Sequence, residues 1–174
     1  MLMNAAYLHL ITVHIPVLGC PLALILLLIG KKHHNKTIIQ TGLILLIISC
    51  LTTLPVVFFG HRSVSIVTDL AGVYRTTIEN HENTAEKALW ATNITAGIAL
   101  LTWGILHIGV ALEEIFLVLT LVVGTITAIL LGYTAHLGGK IRHPEVYVQE
   151  RPTSVPPTLL TPHSSSIKPS QTTW

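Results

Sequence analysis

Charge is what this chain most lacks. Asp, Glu, Lys and Arg make up 10% of its 174 residues, and four long stretches, about 8–29, 37–59, 88–108 and 115–135, contain none of them. The absence of any acid–base pair inside those stretches speaks against a proton-coupled transporter, which needs buried ionisable partners. Cysteine is almost as scarce. Cys20 and Cys50 are the whole complement, far from a Cys-x-x-Cys spacing, so neither a disulfide framework nor a covalently attached c-type haem is indicated. Both read as core residues. No basic residue precedes the first apolar stretch and no small-residue cleavage site follows it, so it reads as a retained helix rather than a signal peptide.

What is present is apolar length. Hydrophobic residues are 51% of the chain and mean hydropathy is +0.67, and each uncharged stretch approaches the roughly 20 residues that a bilayer core requires. The expected fold is an all-α integral membrane protein, a four-transmembrane-helix up-down bundle over residues 1–143. In the connection 62–84, Val64, Val67, Ala71, Tyr74 and Ile78 recur at helical spacing, which predicts a surface helix between helices 2 and 3, lying over the bundle mouth. Helix 3 has two candidate starts, because Thr76 with Glu79 and Asn83 with Glu86 both fit a capping box. The pair Gly138-Gly139 reads as the stop of helix 4. From 144 to 174 the chain holds six of its nine prolines among Ser and Thr, an extended tail that cannot build its own core and is expected to be ordered by a partner subunit.

Four spans put both termini on one side, here face A. The short first connection packs Lys31, Lys32 and Lys36 together, while nothing basic precedes the first helix, which places face A outside. A count over the whole chain opposes this, since Arg62, Arg75, Lys87, Lys140, Arg142, Arg151 and Lys168 fall on face A, mixed with six acidic residues. The short loop is given more weight. The expected location is a bacterial inner membrane with both termini periplasmic.

Histidine is the residue whose placement carries chemistry. Six of ten, His9, His14, His61, His81, His136 and His143, fall on or near face A, while His33, His34 and His107 read as interfacial. Counting back from His136 in fours gives Gly132, Ala128 and Gly124, and small residues, Ala85 and Ala88, likewise follow His81. Such stripes allow close helix packing, or leave a slot where a flat cofactor could lie with imidazole on its iron. Pro16 and Pro21 would bend helix 1 and open space beside His14. With helices 1 and 3 diagonal, and 2 and 4 diagonal, the economical axial pairs are His14 with His81 and His61 with His136, with His9 and His143 as alternatives.

The His9-x-x-x-x-His14-Ile-Pro opening, the His81 segment and the Ala-His136-Leu-Gly-Gly ending resemble the four-helix membrane family catalogued as domain of unknown function 2231, over residues 8–139. The family often has His-Phe-Pro where this chain has His-Ile-Pro. The resemblance implies a four-helix architecture and a proposed haem-binding role, and it supports His14, His81 and His136. His61 and His9 rest on geometry alone.

Three functions follow as expectations. The first is a b-type cytochrome subunit with one or two haem b groups on paired histidines, an electron-transfer subunit rather than the catalytic part of a larger oxidoreductase. Its partners would be other subunits of a membrane complex, a c-type cytochrome or cupredoxin on face A, and quinone; no nucleic acid is expected. The second is a copper or zinc site built from His14, His81, Glu82, His136 and His143. The third is a cofactor-free structural subunit.

Overall fold

A computed structural model describes residues 4–68, 73–109 and 111–143, and the expected tail, 144–174, lies outside them. Helices α1 (Ala5–Thr12) and α2 (His14–Lys32) form the first span, α3 (Lys36–Leu51) and α4 (Thr53–Thr68) the second, α5 (Arg75–Ile108) the third and α6 (Glu113–Arg142) the fourth. All four are long and apolar enough to cross a bilayer. Large apolar side chains such as Leu18, Leu22, Ile126 and Ile129 are more than half exposed on their outer faces, the arrangement expected where lipid rather than protein covers them.

The two interruptions have one cause. Proline has no N–H, so it leaves the carbonyl four residues earlier without its helical donor. Pro16 strands the carbonyl of Thr12, where α1 ends, and Pro55 strands that of Leu51, where α3 ends. Nearby hydroxyls take over part of the bonding: Thr12 Oγ1 donates to Leu8 O at 2.7 Å, Thr52 Oγ1 to Ser49 O and Thr53 Oγ1 to Cys50 O, both at 2.6 Å. Each of the first two spans is thus jointed, and above the joints α1 packs on α4.

Below the joints the helices form a ring. Helix α2 packs on α3, α3 on α5, α5 on α6 and α6 back on α2, so the first and third spans lie diagonally, as do the second and fourth. The α5–α6 seam is built on a heptad. Thr102 Oγ1 meets Thr120 Oγ1 at 2.7 Å and Thr95 Oγ1 meets Thr127 Oγ1 at 2.8 Å, all four at 1% exposure or less. Ala88 and Thr134 continue the same two rows, and small side chains on both let the backbones approach as transmembrane pairs prefer. Thr92 extends the polar contact sideways to Thr53 at 2.9 Å. At the far end from the termini, Lys31 pairs with Glu114 and Lys36 with Glu113, tying the first connection to the third.

Three expectations are corrected here. There is no separate surface helix among the described residues: α4 continues to Thr68 and α5 begins at Arg75 with Tyr74 as its N-cap, so three of the periodic residues belong to two helix extensions. Val64 and Val67 lie on α4 and Ile78 is buried on α5, while Ala71 is outside the described residues. The extensions keep a helical pattern because α4 still packs on α1 and α5 and so has a face to bury. Neither capping box starts the third span, since Tyr74 is the N-cap and makes no side-chain cap bond, although His81 does fall within the helix. Finally, Gly138-Gly139 does not stop α6, which runs to Arg142; Gly138 serves a contact instead.

Candidate functional site

At the face A end two imidazoles meet across the diagonal of the bundle. His9 on α1 and His81 on α5 have ring centroids 6.3 Å apart with their planes at 85°. Each is half-buried, and each is tied to the next helix in the ring. The Nδ1 of His9 lies 2.9 Å from Val56 O on α4, and the Nδ1 of His81 lies 3.0 Å from Thr134 O on α6. A carbonyl only accepts, so both Nδ1 atoms carry the hydrogen, and in the neutral ring each Nε2 keeps a bare lone pair.

A glycine makes each of these contacts possible. The acceptor carbonyls already bond the N–H four residues on, at Gly60 and Gly138. A Cβ on Gly60 would lie 3.2 Å from His9 Cε1 and Nδ1, and one on Gly138 would lie 3.2 Å from His81 Cε1. Two histidines on one diagonal and two glycines on the other therefore share one level of the bundle. Sequence reading ranked His9 below His14 and missed both glycine roles. The signal was available in the threonine heptad, whose α5 row runs back from Thr102 through Thr95 and Ala88 to His81.

The other expected ligands lie at the surface. His14 is exposed, and its Nδ1 donates to Leu10 O of its own helix at 2.7 Å. His61, His136 and His143 are exposed as well. The stripe below His136 is not one slot: Gly124 is buried under Leu24, whose Cδ2 would lie 2.8 Å from an added Cβ, Ala128 packs against the core, and Gly132 is exposed with nothing within 4 Å. An i, i+4 row drifts about 40° per step around the helix, so over three steps it walks from the interface to the lipid side. Below His81, Ala85 is half-buried and Ala88 is buried in the seam.

No family model, curated protein or solved structure matches the chain. The resemblance to domain of unknown function 2231 rests on its short motifs alone.

Ligand chemistry narrows what this site could hold. Among the described residues no three His, Cys, Asp or Glu side chains gather closely enough to bind a metal ion. Zinc takes four ligands in structural sites and three in catalytic ones, which two imidazoles do not supply. Haem iron asks for only two axial ligands from the protein. Donation of the other ring nitrogen to a carbonyl is also the usual second contact of a ligating histidine. Two imidazoles thus meet the protein-ligand count of a haem iron and fall short of that of zinc.

Proposed function

We propose that the chain is a membrane b-type cytochrome subunit that holds haem b between His9 and His81 near face A and passes electrons within a redox complex. The observation that carries this reading is the diagonal imidazole pair, each ring locked through Nδ1 against a glycine-bearing helix with Nε2 left to bind. Val56 O and Thr134 O fix the two rings and their tautomers, and Gly60 and Gly138 give the rings room. Haem bound there by His9 and His81 would supply one-electron chemistry, which suits electron transfer. The apolar outer surface of the spans confines the protein to a bilayer, and the half-burial of His9 and His81 keeps the site close to a partner docking on face A.

This reading keeps the cofactor and moves its ligands from His14, His61 and His136 to His9 and His81. One haem, not two, is proposed. The bacterial inner membrane, an outward face A, and a c-type cytochrome, a cupredoxin or quinone as redox partner belong to the same proposal.

The test is a reduced-minus-oxidised visible spectrum of the purified chain with His9→Ala, His81→Ala and His14→Ala beside it. A b-type signal lost in the first two variants and kept in the third is expected. A haem-free wild type, or a signal lost only with His14, overturns the assignment.

A further inference from the structure

The chain's two cysteines, 30 residues apart, meet in the core. Cys20 on α2 and Cys50 on α3 are both fully buried, with their sulfurs 3.8 Å apart in S–H···S contact. The backbones behind them are equally near. One position earlier on each helix, a Cβ built on Gly19 would lie 3.1 Å from Ser49 Cβ. A disulfide holds its sulfurs about 2.05 Å apart, so the two sulfurs, already in contact, close by about 1.8 Å when the bond forms. Ser49 adds that this contact is not a plain apolar packing site: its hydroxyl is buried with no hydrogen-bond partner among the described residues.

We propose that Cys20 and Cys50 are a redox-active dithiol that closes to a disulfide between the first and second spans, with a lipid-soluble quinone as the two-electron acceptor. The class of oxidant follows from burial. Both sulfurs lie in helices that cross the apolar layer, where a water-soluble disulfide or charged oxidant does not partition and a quinone does. In the step, both S–H bonds break and one S–S bond forms; the two electrons and two protons pass to the quinone, which becomes quinol. The bond lies next to the joint after Leu51 and about two helical turns below the joint after Thr12. Oxidation would therefore lock α2 to α3 just under the jointed segments, α1 and α4, that carry His9 and its acceptor Val56.

The experiment uses the full chain in lipid nanodiscs, reduced, then exposed to a short-tailed benzoquinone. Intact mass, alkylation by N-ethylmaleimide after denaturation, and quinol formed are read together. Expected are the loss of two hydrogens from the chain, no alkylatable thiol, one quinol per chain, and recovery of both thiols with dithiothreitol. Cys20→Ser and Cys50→Ser should each keep their remaining thiol alkylatable and form no quinol. His81→Ala should behave as wild type, which separates this proposal from the imidazole site. Full alkylation of both thiols after oxidation, a retained quinone adduct, or a disulfide found only between two chains overturns it, and the wild-type readings decide this even if a serine variant fails to fold.

Discussion

Replacing Gly19 by alanine tests how tightly the first two spans are packed. The added Cβ would sit 2.2 Å from Ser49 Oγ and 3.1 Å from Ser49 Cβ. The first contact is soft, because the Ser49 hydroxyl has no partner to lose and can rotate away. The second is carried by backbone-fixed atoms, so α2 and α3 must move apart at the point where Cys20 and Cys50 also meet. Overpacking of this kind costs about 1–3 kcal/mol. Ser49→Ala alone should instead stabilise by about 1 kcal/mol, since it deletes a buried unpaired hydroxyl. The discriminating step is graded. Gly19→Ala should cost less in the Ser49→Ala background, where only the Cβ contact persists, and least with Ser49→Gly, which removes that too, giving a coupling of about 1–2 kcal/mol. Thermal unfolding in detergent, followed by circular dichroism, reads each variant. Additive costs across the series would refute the close approach.

Three further outcomes follow from the same geometry. Gly138→Ala should crowd His81 off Thr134 O, where a Cβ meets Cε1 at 3.2 Å, and so lower haem content as measured by pigment extraction while leaving helicity unchanged. Thr102→Val should cost about 0.6 kcal/mol and under 2 kcal/mol, the range for hydrogen bonds between transmembrane helices, because Thr120 Oγ1 still donates to Phe116 O; unfolding of the purified variant measures it. Glu113→Gln with Glu114→Gln should change stability by under about 1 kcal/mol and less still in high salt, since Glu114 is 71% exposed in its pair with Lys31.

The four spans were legible because each is an uncharged run of sufficient length, and their diagonal arrangement followed from a simple up-down order of the chain. Which histidine faces inward was harder. His9 and His14 are five residues apart, about 140° around a helix, so only one can point into the bundle; the joint Pro16 imposes at Val13 and the packing of α1 on α4 settle it for His9. The same reasoning places His136 on the outer face. Thr120, Thr127 and Thr134 set the inner face of α6, and a residue two beyond Thr134 is about 200° away, on the lipid side. That heptad passed unnoticed because threonine carries little weight in a reading of apolar periodicity, yet it fixes the register of α5 on α6. Glycine misled in the opposite sense. Gly138-Gly139 signals a stop in a water-soluble helix, whereas here α6 stays helical and the missing side chain admits an imidazole.

The proposed joint ligation of one haem iron by His9 and His81 can be read from electron paramagnetic resonance of the oxidised protein. Two imidazoles held near the 85° found between the rings should give a strongly anisotropic low-spin ferric signal, abolished in His9→Ala and in His81→Ala. A high-spin signal, or no haem iron in the purified chain, would contradict the account.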